Sequence, residues 1–253
     1  MINLKKENYN IKQYLQEIVQ NSVDIFHELT SWSDADRQEY SLLLTELKKP
    51  FDKEIETTKA KGDRLENLVS SIIKKSYFFE IYRNVHTGTN EIDEVISLSS
   101  NGKQALSEYN LSRDLLEIDS DIALGECKNY DSTLDVTYVG KFYSLLVSTD
   151  IPFGIIFTQK GLTGNENEYH DSHGLVKVLR IIEKYQNNRD LTILTFTLED
   201  YEKLERGISF FELIKAKKIA LQLSSSYENF IKEYHHDGVD LVKQKLMKVK
   251  SQR

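Results

Sequence analysis

Cysteine is almost missing from this chain: Cys127 is the only one in 253 residues, so no internal disulfide can form and no thiolate cluster can gather a metal. Proline is nearly as scarce, with Pro50 and Pro152 alone, and eleven glycines are spread too thinly to build a flexible linker. No internal repeat or low-complexity block divides the sequence, so boundaries must fall between packed elements. Nowhere do about eighteen uncharged apolar residues run together, and the opening MINLKKENYNIKQYLQEI has no apolar stretch of signal-peptide length. These absences lead us to expect a cytoplasmic protein that does not engage a membrane. No GxxxxGK[ST] segment occurs either, so any translocation along a polymer would require a separate motor or activating subunit.

What is present suffices for a folded protein. Hydrophobic residues make up 40% and charged residues 29%, too apolar a balance for a disordered chain. The net charge of -7 does not favour a phosphate-binding partner. The distribution is uneven, however. The final segment LVKQKLMKVKSQR carries Lys243, Lys245, Lys248, Lys250 and Arg253 without an acid, which fits equally a solvated helix end and a basic surface.

Periodicity gives the organisation. Residues 1–60 read as helical, with Ile11, Tyr14, Leu15, Ile18 and Val19 at amphipathic spacing and a second helix capped by Ser33. Next, Leu65, Leu68, Val69, Ile72 and Ile73 form one apolar stripe, with Glu66 on its edge. FFEIYRNV and EIDEVISLS, joined by the turn-forming TGTN, predict a β-hairpin. Residues 100–120 show no dominant period and are expected to be irregular or partly helical. Then follow a strand, IALGECKN, a helix with Val136, Val139, Gly140, Tyr143, Leu146 and Val147 on one face, and a strand, FGIIFT, an order that predicts a parallel crossover unit. A further helix and the strand LTILTFT lead into a helical remainder from Leu198. The expected fold class is α/β, a central mixed sheet flanked by helices, divided as an N-terminal helical region 1–60, a core 61–200 and a C-terminal helical region with a basic tail 201–253.

The strand IALGECKN poses a chemical problem. Alternation places Leu124, Glu126 and Lys128 on one face and Ala123, Gly125 and Cys127 on the other. An acid and a lysine on a strand suited to burial are costly unless they meet partners or a metal. Asp93 in the preceding strand is a second carboxylate. Two acids brought together repel each other without a cation, and their hard oxygens suit Mg²⁺ or Mn²⁺. Such an ion could polarise a phosphate, with a lysine steadying developing charge. A surface ion pair at a strand end is the plainer reading of Glu126 and Lys128.

The ordered set of Glu66 on a helix, Asp93, Glu126-Cys127-Lys128, a helix with Val139-Gly140, and Phe153-Gly154-Ile155-Ile156-Phe157-Thr158 resembles the PD-(D/E)xK nuclease superfamily, and within it the Mrr-like restriction endonucleases. The likeness covers residues 61–165, with Ile92 where the superfamily name has proline. It implies a restriction-endonuclease-like core in which Asp93, Glu126 and Glu66 ligate Mg²⁺, replaceable by Mn²⁺, and Lys128 acts on the attacking water or phosphate. The resulting expectation is a metal-dependent endonuclease cutting double-stranded DNA, restriction-like, in defence against foreign DNA. Tyr138 and Lys141, off the apolar stripe of their helix, are candidate nucleic-acid contacts, and a homodimer would supply two centres for two strands. The alternatives are a catalytically inactive nuclease-fold binding or assembly protein, and a nuclease acting on RNA or branched DNA. Cys127 reads as a buried structural thiol. His170, Asp171 and His173 read as loop and helix cap, and His235, His236 and Asp237 as a helix end.

Overall fold

The computed structural model describes residues 11–231 apart from 53, 55, 87, 89 and 90, with residues 11–18 as helix backbone only. The basic tail, the His235-His236-Asp237 helix end and part of the TGTN turn lie outside the described residues. Among the described residues no helix is long and apolar enough to cross a membrane.

The N-terminal helices are α1 (Ile11–Thr30), α2 (Asp34–Lys48) and α3 (Thr58–Lys75). Ser33 starts α2 as expected: its side chain accepts from the Asp36 amide while Asp36 accepts from the Ser33 amide, so two otherwise orphaned donors are satisfied reciprocally. Thr57 caps α3, which begins before the apolar stripe does. Leu65, Leu68, Val69, Ile72 and Ile73 are all fully buried, each contributing on the order of 2 kcal/mol by removal from water.

The hairpin follows as β1 (Phe79–His86) and β2 (Glu91–Leu98), antiparallel with Phe79 opposite Leu98 and Arg83 opposite Glu94. The segment without a clear period resolves into a short helix, α4 (Ser100–Glu108), and a 3₁₀ turn at Arg113–Leu116. Its nine-residue length, with Gly102 and Ala105 as the buried positions, explains why no stripe was legible. Then come β3 (Ile122–Lys128), α5 (Val136–Ser148), β4 (Phe153–Thr158), α6 (Asp171–Gln186), β5 (Thr192–Phe196), α7 (Leu198–Glu205) and α8 (Phe210–Leu223). The five strands form one sheet in the order β1-β2-β3-β4-β5, antiparallel across β1, β2 and β3 and parallel across β3, β4 and β5. This is the central mixed sheet flanked by helices, with additional helical segments, that the periodicity predicted.

The sheet separates two apolar layers. Ile96, Ala123, Ile155 and Phe157 pack with α2, α3, α7 and α8, where Tyr40, Leu65, Tyr201 and Phe211 lie. Leu124, Ile156 and Ile193 pack on the other side against Val139, Phe142 and Leu146 of α5 and Val176 of α6. Burial on both faces is what a parallel crossover region requires. In the loop before α6, His170 is the cap residue, without a side-chain cap hydrogen bond, and Ser172 turns inward to donate to the Leu134 carbonyl.

Two glycines test this packing in opposite directions. A Cβ at Gly102 would sit 2.3 Å from the Phe78 carbonyl oxygen, backbone against backbone, whereas one at Gly140 would meet nothing within 4 Å. Gly102→Ala should therefore lower stability by about 2 kcal/mol through forced separation of α4 from β1, while Gly140→Ala should raise it by about 0.5–1 kcal/mol through helix propensity. Urea denaturation of the two variants checks both signs.

Candidate functional site

Asp93, Glu126 and Lys128 do meet. The β2–β3 ladder runs to Glu94 opposite Gly125 and stops there, so the strands part just where Asp93 and Glu126 would have paired. Asp93 takes over from the ladder: its Oδ2 accepts from the Cys127 amide at 3.0 Å and from Lys128 Nζ at 2.9 Å. Lys128 Nζ also lies 2.7 Å from Glu126 Oε1. The ammonium thus stands between two carboxylates, all three side chains about four-fifths buried. Burial works against the charge on Lys128, but Glu126 and Asp93 outweigh it and hold the ammonium protonated far above the ordinary lysine range. Burial, then Asp93, raises the Glu126 carboxyl, opposed by Lys128. A lysine held so firmly protonated cannot serve as a general base.

The end of β3 is fixed from behind. Asn129, buried, donates to the Lys61 carbonyl at 2.5 Å and accepts from Gln159 Nε2 at 2.7 Å, and Gln159 donates on to the Leu47 carbonyl. Lys61 itself holds Asp131 at 2.6 Å. The first turn of α3, the end of β3 and the residue after β4 are therefore tied together by polar groups that all have partners.

Glu66 does not join Asp93. It lies on the α3 side of the sheet, where Arg83 Nη2 donates to it at 2.5 Å and Asn67 Oδ1 accepts from the same guanidinium at 3.0 Å. Strand alternation places Arg83, Glu94, Gly125 and Cys127 on that side, and Asp93, Glu126 and Lys128 on the other. One feature here escaped the sequence reading. Glu94 is fully buried; Arg83 Nε approaches its Oε1 at 3.7 Å, and its Oε2 has no hydrogen-bond partner. Burial, partly offset by Arg83 and reinforced by Glu66 and Asp93, pushes its carboxyl up to about 8. The signal for it was Gly125: a Cβ there would stand 2.8 Å from Glu94 Cβ and 3.2 Å from Phe157, so the glycine is the space that Glu94 occupies. Cys127, on the same face, is raised well above the ordinary thiol range by burial, as a structural thiol should be.

This geometry corrects the chemical expectation. Among the described residues no group of three or more His, Cys, Asp or Glu is placed to hold a metal ion. Asp93 and Glu126 share the one ammonium of Lys128, Glu66 is spent on Arg83 across the sheet, and Glu94 lies on the face of Glu66, away from Asp93 and Glu126. The reading of Asp93, Glu126 and Glu66 as ligands of Mg²⁺ or Mn²⁺, and with it the metal-dependent deoxyribonuclease, is overturned. His173 and its neighbours form no metal group either; burial, then Lys177 and Lys217, lower the His173 imidazole to about 4.

Tyr138 and Lys141 stand on α5. Tyr138 meets Tyr130 edge-on at 5.5 Å, Tyr130 is 39% exposed, and Lys141 faces solvent while acting on the Glu126 charge. Tyr130 was not singled out from the sequence, since it follows the strand in a loop without periodicity. No family model, curated protein or solved structure matches the chain.

Two outcomes test these electrostatics. Replacing Lys128 by Ala leaves two facing carboxylates uncompensated and should cost about 3 kcal/mol; adding Asp93→Asn and Glu126→Gln should recover most of it, read by chemical denaturation. The second concerns pH. Because Glu94 binds its proton more tightly folded than unfolded, stability should fall as pH rises from near the ordinary glutamate value to about 8, then level off. Glu94→Gln should flatten that slope in thermal melts taken across the range.

Proposed function

We propose that the chain is a non-hydrolytic binding protein built on a PD-(D/E)xK-type, Mrr-like scaffold, with nucleic acid as its partner. The observation that carries this reading is the Lys128 ammonium lodged 2.9 Å from Asp93 and 2.7 Å from Glu126. Both acids at the point where β2 and β3 part are thereby committed to holding the strand ends, with Asp93 also completing the hydrogen bonding of Cys127. A site arranged in this way braces the strand ends without activating water.

The rim of the site supports the choice of partner. Tyr130 and Tyr138 present aromatic surface, and Lys141 adds a positive charge beside the one on Lys128. Phosphate contacts of this kind position a duplex without reading its sequence. The chain's overall negative charge means that attraction must come from such local groups.

Fluorescence anisotropy with labelled double-stranded DNA in EDTA, alongside incubation of supercoiled plasmid with Mg²⁺, tests both halves. We expect metal-independent binding, weakened severalfold by Lys141→Ala and by Tyr130→Ala, and an uncut plasmid. Mg²⁺-dependent cleavage abolished by Asp93→Ala and Lys128→Ala would restore the hydrolase, and failure to retain any nucleic acid would remove the partner.

A further inference from the structure

An acidic chain usually spends its buried cations on carboxylates, and this one does so repeatedly: Lys61, Lys75, Lys128, Lys203 and Lys217, all largely buried, each lie within 3.0 Å of one. One face of α6 breaks the pattern. Lys177, Arg180 and Lys184 follow one another at spacings of three and four residues, which places them along one side of the helix over about 10 Å. Among the described residues Arg180 and Lys184 have no hydrogen-bond or ion-pair partner. Lys177 is only 5% exposed, yet it donates to main-chain carbonyls, those of Glu166 and Glu168, and faces the Tyr169 ring at 5.0 Å. The Glu166 and Glu168 carboxylates act on it from the loop without reaching ion-pair distance. Of the two acids of this helix, Asp171 is its first residue and Glu183 is turned away, bonded to Tyr143 and Asn187.

These cations line a groove of about 410 Å³ between α6 and the C-terminal end of α8, and no aspartate or glutamate contributes to its wall. Between the charges lie Tyr169, 54% exposed, and Tyr185, 79% exposed, with Ile181 beside them. Tyr169 is fixed by a 3.0 Å hydrogen bond between its hydroxyl and that of Ser224. A row of uncompensated cations interleaved with open aromatic faces is suited to a polymer that alternates negative charge with flat rings.

We propose that this groove binds single-stranded nucleic acid, with phosphates against Arg180 and Lys184 and unstacked bases against Tyr185 and Tyr169. A duplex keeps its base faces stacked and out of reach of the tyrosines, whereas a single strand offers them. A plain acidic peptide has no rings to place on these faces, and the two aliphatic residues of the wall, Ile181 and Leu221, are too little apolar surface for an amphipathic helix to embed in a membrane. The groove lies apart from the α5 rim and shares with the reading given above only the class of polymer.

The test uses the full chain, a labelled oligothymidine and the matching duplex, with anisotropy followed against salt. Two neutralised phosphates at about 0.7 each should give a slope of log K on log salt of about -1.4 for the single strand. Arg180→Ala or Lys184→Ala should each reduce its steepness by about 0.7. Tyr185→Ala should lower affinity at least about fivefold while leaving the slope unchanged. Lys184 and Tyr185 face solvent, and Arg180 is half-buried without a hydrogen-bond or ion-pair partner among the described residues, so circular dichroism and melting should match the parent. Loss of single-strand binding in Lys141→Ala but in none of the α6 variants would overturn the groove and leave the nucleic-acid reading standing. No binding of either nucleic acid would overturn both. Binding of polyglutamate or phosphatidylserine vesicles, lost in the α6 variants while the oligonucleotide is ignored, would overturn the groove's assignment to nucleic acid.

Discussion

The arrangement at the end of β3 rests on one requirement, that charges carried into the sheet be compensated within the sheet. Lys128 meets it by standing between Asp93 and Glu126, and the consequences spread outward. Because Asp93 is held there, it can accept from the Cys127 amide after the ladder has ended, so the strands separate without leaving a donor orphaned. Because β3 is thereby pinned, Asn129 and Gln159 can tie its end to α3 and α2. Remove the ammonium and repulsion between the two acids acts directly on that junction.

The opposite face solves the same problem by different means. There Arg83 serves Glu66 well and Glu94 poorly, at 2.5 and 3.7 Å, and the remaining cost of burying Glu94 is met by a proton. A neutral carboxyl against Gly125 and Phe157 is tolerable in an apolar layer, whereas a second ionised one beside Glu66 would not be. The sheet therefore separates its acids by face, and among the described residues no three of them converge on a common ion.

Much of the framework was legible because it depends on local periodicity. The apolar stripe of α3, the β1–β2 hairpin and the alternation of β3 all survive in the structure, and the Ser33 cap is where its sequence context put it. The encounter of Asp93 with Glu126 and Lys128 was legible too, since both strands could be placed in order. What periodicity could not supply was the side of the sheet on which the edge of α3 would lie. Glu66 was aligned with the right helix and the wrong neighbours, because its partner, Arg83, belongs to a strand whose register only the folded sheet defines. Nor could it reveal that the lysine's charge would be used internally, which is a matter of ångströms and not of spacing. Glu94 was overlooked for a related reason: in EIDEVI adjacent acids compete for attention, and only Gly125 on the facing strand says which of them is inside.

The same reasoning bears on how an acidic protein can present a cationic surface. Where a lysine is deeply buried in this chain, a carboxylate is generally brought to it, so a cation left without one signals that the sequence has not been arranged to neutralise it. On α6 that condition holds for successive positions on one face, while Glu183 of that helix is engaged elsewhere. Chance placement of surface lysines would scatter them among the forty acidic residues of the chain. Their concentration beside open tyrosine rings is more economically understood as a surface whose counter-charge arrives with a ligand, and the absence of acid from the groove wall keeps that counter-charge from being supplied from within.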